Sequence, residues 1–311
     1  MQAHALRSLD LSCAEQVISA LARGAEANRS AACRDASVDR ISTPGRLIAT
    51  GDLHDNPAHM ARLIEVAGLD VDPASREAAG AAHLTLHEII HPDRLPGGMD
   101  FSYRALVRAA ALKAAFPEKA HTLLANHELA QVRGSGIVKD GVRVVEAFNA
   151  GVEQVFGDAA PAVTEAINAF IESMPLALVC ETRGGRILCS HSLPSPAMMA
   201  RFDATILSRD LTEDDYRPLT GSVHMLVWGR GYDADLLEDL VERWGVTLFI
   251  LGHEHAPEGV QLVPPCALVL SSDHARGVYL PIDLERPPAA AEAVGLVRPL
   301  GADATGGVLG P

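Results

Sequence analysis

The sequence predicts an α/β protein with a mixed sheet or two stacked sheets, and three observations carry that expectation. Short apolar runs of strand character alternate with stretches of helical periodicity through the first half of the chain. Later the alternation gives way to paired β runs, one pair flanking Gly184-Gly185 and others around 259–271 and 277–283. Finally, Asp52 and Glu88 stand 36 residues apart, and Glu88 and Asn126 stand 38 apart. Each gap is near the span of a βαβ unit, so successive strand ends should meet on one edge of a sheet. With 311 residues, 48% of them apolar and only 4% aromatic, the core must be built mainly from Ala, Leu, Val and Ile.

Taken in order, residues 3–23 have amphipathic helical spacing through Leu6, Leu9, Val17, Ile18 and Leu21, with a break expected near Ser12. Residues 24–45 are Ala-rich and polar, a weak helix or loop that completes a helical lead-in over 1–45. The first strand is 46–50. Gly51 then permits a sharp exit, and Asp52 and His54 follow. Pro57 suits a first helical position, Met60, Leu63, Ile64 and Ala67 share a helical face, and Gly68 is the stop. A strand is predicted over His83 to Ile89, a helix over Phe101 to Phe116, and a strand from His121. Residues 137–174 read mainly as helix, an insertion whose Val144–Phe156 stripe suits packing. The hairpin at Gly184-Gly185 delivers His191 at its end. Residues 195–220 are irregular, Met225 to Trp228 is a short apolar run, and Asp233 caps a helix to Trp244. Val246 to Leu251 is a strand that runs into His253 and His255. The main domain is therefore expected over 46–286, and the Pro-, Ala- and Gly-rich 287–311 is expected to be a loosely ordered tail.

Composition narrows the function. A net charge of -14 argues against non-specific nucleic-acid binding, which needs a basic surface. The five cysteines are scattered without a C-x-x-C, so a reducing cytoplasm is expected rather than a disulfide framework. Arg7, Asp10 and Glu15 interrupt the first 24 residues, so no signal peptide is expected. The sequence holds no apolar run of the roughly 18 residues a membrane helix needs.

The candidate site is an oxygen and nitrogen set: Asp52, His54, Glu88, Asn126, His191, His253 and His255. Open α/β sheets place ligands at the carboxyl ends of their strands, where these residues fall. With no thiolate among them, manganese, iron or zinc suits the set. Seven donors are too many for one open catalytic ion and about right for two, and two neighbouring ions can clamp a phosphoryl oxygen and hold a hydroxide for in-line attack.

Five blocks in order give the chain a family resemblance. GDLHDN, LTLHEIIHPDR, FPEKAHTLLANHEL, CSHS and LGHEHAP resemble the metal-binding blocks of the calcineurin-like metallophosphoesterases, nearest to the phosphoprotein phosphatase branch and its bacterial relatives. LVWGRGY resembles an Arg-bearing block of some bacterial members. The resemblance covers about residues 46–283 and implies a β-sandwich of mixed sheets flanked by helices. It also implies a phosphoesterase acting on a phosphorylated protein, with phosphoserine or phosphothreonine leading, or on a small phosphoester.

By position in the blocks, the resemblance gives Asp52, His54 and His255 to one ion and Asn126, His191 and His253 to a second, with Glu88 bridging them. His127 would protonate or hydrogen-bond the leaving oxygen, and Arg94 and Arg230 would grip phosphate. The second block departs from the family. His87-Glu88 stands where the family has Gly-Asp, and His91 stands where it has the Asp that orients the catalytic histidine. That support must come from Asp93 or be absent, and His91 is itself a candidate ligand. Asp55 and Ala125 replace glycines. Two other readings stand beside this one. His87-Glu88-Ile89-Ile90-His91 spells the H-E-x-x-H of zinc proteases, which requires a helix. The altered block also suits a metal-binding relative without catalysis.

Overall fold

The computed structural model describes residues 9–92, 95–134, 136–139 and 141–301. Arg94 and Asp93 lie outside the described residues, as do the first eight residues and the last ten.

Two mixed sheets stack face to face with helices on their outer sides. Helix α1 (Ala14–Ser30) leads into strands β1 (Arg34–Asp35) and β2 (Val38–Ser42). Strand β3 (Arg46–Thr50) is followed by α2 (Pro57–Ala67), the short α3 (Arg76–Ala79) and β4 (His83–Leu86). Next come α4 (Tyr103–Ala115), β5 (Ala120–Thr122) and α5 (Asn126–Arg133). A small hairpin, β6 (Val138–Lys139) and β7 (Val142–Arg143), opens the insertion, and α6 (Val144–Phe156) and α7 (Ala160–Glu172) complete it. The second half contains β8 (Ala177–Thr182), β9 (Gly185–Ser190), α8 (Ser222–Trp228), α9 (Ala234–Trp244) and β10 (Val246–Leu251). It closes with β11 (Val260–Val263), β12 (Ala267–Leu270), β13 (Val278–Asp283), α10 (Ala290–Val294) and β14 (Arg298–Pro299).

One sheet has the order β1-β2-β8-β9-β10-β12-β11 and the other β14-β13-β3-β4-β5. Strands β3, β4 and β5 run parallel, as do β9, β10 and β12. The pleat sorts their side chains. Leu47, Ala49, Leu178, Cys180, Leu248, Ile250, Leu268 and Leu270 meet between the sheets, with Leu280 and Ile282 of β13. Ile48, Ala177, Val179, Phe249, Leu251, Ala267 and Val269 face the helices instead. This period of two makes one core between the sheets and another beneath the helices.

Gly51 is where the sheets meet. A Cβ there would collide with the Leu270 carbonyl, and the next residue, Asp52, bridges in parallel fashion to both His87 and Ser271. The α2 ends are as expected: the Asn56 side chain accepts the His59 N–H, and Gly68 closes the helix at φ 71°. Asp233 likewise caps α9 by accepting the Leu236 N–H.

Three segments differ from expectation. Residues 34–42, expected as helix or loop, form β1 and β2, and β2 lies parallel to β8. Asp39 is fully buried there against His121 and Lys113, and that partnership outweighs the weak local pattern. The strand predicted over 83–89 ends at Leu86, because Glu88 and His91 take positive φ angles that no strand sustains. As far as residue 301, the segment after Pro287 is ordered: α10 buries Ala290 and Ala293 in the inter-sheet core, and β14 extends β13.

Candidate metal centre

The carboxyl ends of β3, β4, β9 and β10, with the start of α5, converge on one edge of the sandwich. Asp52 and His54 follow β3, His87 and Glu88 follow β4, Asn126 and His127 open α5, His191 follows β9 and His253 follows β10. All are buried except His54, which is half-buried.

Around His191 Nε2, Asn126 Oδ1 lies at 2.7 Å, His253 Nδ1 at 3.0 Å and Glu88 Oε2 at 3.1 Å. One imidazole nitrogen carries at most one proton, so it cannot satisfy three such neighbours. Ligands about 2.1 Å from an octahedral ion would lie roughly 3.0 Å apart, close to these separations. The donor chemistry and spacing fit a divalent cation.

The other Glu88 oxygen faces a second group. Glu88 Oε1 lies 3.5 Å from His54 Nε2 and 3.5 Å from His127 Nε2. His54 Nδ1 lies 3.4 Å from the Ile90 carbonyl, which turns its Nε2 toward Glu88.

Asp52 stands in a third group, with His87 and His191, whose donor atoms also lie within 4.8 Å of one another. Both its oxygens accept the His253 N–H, at 3.0 and 2.9 Å, and Oδ1 lies 3.3 Å from His191 Nδ1 and 3.5 Å from His87 Nδ1. Burial opposes its charge, but His191, His87 and His54 hold its carboxyl well below the usual range. His87 is fixed from behind by the Thr50 carbonyl at 2.8 Å, and burial lowers its pKa to about 4. Burial also lowers His191 and His253. A Cβ on Gly252 would come within 2.6 Å of His87 Cε1 and closer still to Asp52 Oδ1, so glycine is what lets this pair fit.

His255 is exposed, and its ring lies 5.7 Å from that of His274. Arg230 is exposed at the rim, where Nη1 donates to the His253 carbonyl at 2.8 Å. His91 is fully buried and binds the Asp100 carboxylate through Nδ1 at 2.7 Å. Its ring lies 5.3 Å from that of His127 and 5.5 Å from that of Phe148 in the insertion. His91, which stands where the family has its orienting Asp, is thus itself held by Asp100, an acidic residue whose spacing in the sequence carries no recognisable motif; the support expected from Asp93 falls outside the described residues. Residues 87–91 are not helical, and His87 and His91 turn to different partners, so the protease geometry is absent.

The sequence reading passed over Glu128. It is fully buried, and Oε1 accepts the N–H groups of Ile89 at 2.7 Å and Ile90 at 3.2 Å, tying α5 to the loop that carries Glu88. Burial raises its pKa to about 7. Several of these residues have left-handed backbones: His54 at φ 42°, Asp55 at 54°, Glu88 at 45°, His91 at 62° and His253 at 65°.

No family model matches the chain, and no curated protein matches it. Solved structures do. A protein serine/threonine phosphatase from Saccharomyces cerevisiae superposes with a TM-score of 0.62 at 14% identity, covering 87% of this chain and 83% of that one. A cold-active protein-tyrosine phosphatase of a psychrophilic Shewanella gives 0.55 at 14% identity, covering 87% and 85%. A further structure titled as cold-active protein tyrosine phosphatase gives 0.53 at 13% identity, covering 83% and 78%. The chain shares the α/β-sandwich fold of these phosphatases.

Proposed function

We propose, from a calcineurin-like fold carrying this centre, that the protein is a two-ion phosphoesterase acting on phosphomonoesters. The observation that carries the reading is Glu88, whose two oxygens face two separate groups of donors. Asn126, His191, His253 and Glu88 Oε2 would hold one ion, and His54 and Glu88 Oε1 would contribute to the other. Manganese, iron or zinc suits this set of oxygens and imidazoles. Such ions supply Lewis-acid polarisation of phosphoryl oxygens and of water.

The chain's own residues do the rest. Arg230, braced on the His253 carbonyl, offers its outer N–H groups to phosphate oxygens. Asp52 holds the His253 loop and the back of His191 in register. Water attacks phosphorus, the ester P–O bond breaks, and phosphate and an alcohol leave. The likeness to the yeast protein serine/threonine phosphatase supports phosphoserine or phosphothreonine on protein as the substrate, and the Shewanella protein-tyrosine phosphatase brings phosphotyrosine into the comparison. The five cysteines are all free, which supports a reducing, cytoplasmic setting. No helix among the described residues is long and apolar enough to cross a membrane.

The test is metal content of purified protein, paired with hydrolysis of p-nitrophenyl phosphate and of phosphoserine, phosphothreonine and phosphotyrosine peptides, with and without manganese. Close to two ions per chain and manganese-stimulated turnover are expected. Turnover that survives complete chelation would overturn the two-ion reading, and two ions without turnover on any ester would favour a non-catalytic metal-binding role.

A further inference from the structure

We propose that His127 is a metal ligand, completing with His54 Nε2 and Glu88 Oε1 the donor set of the first ion. The assignment rests on the two-ion reading above and goes beyond it, because the sequence resemblance gives His127 to the leaving group instead.

The first argument is the fate of the expected ligands. Asp52 and His255 should have joined His54 at this ion. Asp52 is engaged by the His253 N–H, by His191 and by His87. His255 is exposed beside His274. Asp52 gathers with His87 and His191 rather than with His54, and His54 with one Glu88 oxygen is fewer than the three protein ligands usual at an open catalytic ion.

The second argument is metric. His54 Nε2 and His127 Nε2 each lie 3.5 Å from Glu88 Oε1, and the three atoms all lie within 4.8 Å of one another. Ligands about 2.1 Å from a tetrahedral ion are separated by roughly 3.4 Å, which matches the two measured edges. With its Nδ1 at the Ile90 carbonyl, His54 turns its Nε2 toward the Glu88 carboxylate.

The third argument is topological. Asn126 and His127 are consecutive at the start of α5; Asn126 and Glu88 Oε2 both meet His191 Nε2, and Glu88 Oε1 faces His127. One helix end would then feed both ions, Asn126 to one and His127 to the other, while Glu88 gives one oxygen to each. Behind His127 stands the His91 ring at 5.3 Å, itself held by Asp100. Ligating imidazoles are commonly oriented by such surroundings.

The experiment compares wild type with His127→Ala and His127→Asn after chelation, by manganese titration, bound-metal analysis and electron paramagnetic resonance. Thermal unfolding without metal verifies that each variant folds, and the Asn variant serves if the Ala variant does not. The expected result is two ions and an exchange-coupled manganese signal in wild type. One tight ion, a second weakened at least 100-fold and a single-ion signal are expected in both variants. Two ions with unchanged affinity and an intact coupled signal in the variants would overturn the assignment, whatever happens to turnover. A wild type that binds one ion or none overturns the two-ion reading and this assignment with it.

Discussion

Asp52 receives the backbone N–H of His253 on both carboxylate oxygens, at 3.0 and 2.9 Å, and so fixes a residue 201 positions away. The contact joins the ends of β3 and β10, strands of different sheets. Asp52→Asn keeps the shape and one acceptor oxygen but removes the charge beside His191 and His87. Changes to groups that orient metal-ligating imidazoles typically cost about 10–100-fold in metal affinity or activity. Turnover and manganese affinity of Asp52→Asn are therefore expected to fall by at least about that range, with far-ultraviolet circular dichroism unchanged. Wild-type affinity in the variant would show that Asp52 does not position the centre.

Glu128 separates a charge from its hydrogen bonds. Gln at this position can still accept the Ile89 and Ile90 N–H groups, whereas Ala leaves both without their acceptor. Each lost acceptor costs about 1–3 kcal/mol, so Glu128→Ala should lower stability by roughly 2–5 kcal/mol and loosen Glu88. The Gln variant should stay close to wild type. The pH profile distinguishes them further: the folded carboxyl titrates near 7, above the ordinary 4.5. The folded state therefore holds the proton longer, and this group's contribution to stability falls as pH rises from 4.5 to 7. Urea unfolding across that window should show the fall in wild type and lose it in Glu128→Gln.

A second buried network should act with the opposite sign. Lys119 Nζ lies 3.4 Å from His83 Nε2, His83 Nδ1 lies 3.0 Å from His121 Nε2, and His121 Nδ1 lies 2.7 Å from Asp39 Oδ2. Every donor in that row has one acceptor, so an added proton on His83 has no place. Burial, then His121 and Lys119, holds His83 down to about 3. Between that value and the ordinary 6.5 the unfolded chain binds more protons, so stability is full above 6.5 and is lost as pH falls. His83→Gln should flatten this acid-side slope in unfolding experiments between pH 6.5 and 4. An unchanged slope would assign the acid sensitivity elsewhere.

Metal should also stabilise the fold. An ion present at 100 times its dissociation constant adds about 2.7 kcal/mol to the native state. For a chain of 311 residues that is roughly 4 °C in Tm. Scanning calorimetry with manganese, then with excess chelator, should show a rise that reverses fully. A Tm indifferent to both would argue against a site of useful affinity.

The fold and most of the site were legible because each donor follows an apolar β run, and a strand end fixes where the next two residues go. Asp52, His87, Glu88, His191 and His253 converge for that reason. What could not be read is competition among neighbours. Nothing local to Gly51-Asp52 says that a histidine at 87 will stand beside the Asp52 carboxylate, or that Gly252 leaves the room for it. Glu128 and Asp100 were opaque for a similar cause: their partners are backbone amides and a histidine brought near only by the fold. The β1–β2 hairpin rests on Asp39, a charge that no hydropathy pattern would put inside.

The left-handed backbones at His54, Glu88, His91 and His253 have a consequence for anyone seeking a hardier variant. Side-chain-bearing residues in sparsely populated backbone regions cost of order 1–3 kcal/mol each, and glycine would relieve that cost. Every such relief would delete an imidazole or a carboxylate from the centre or its surroundings. Robustness and chemistry are set against each other residue by residue along this one edge, so thermal hardening of the chain must be sought in the helices and the far end of the sheets.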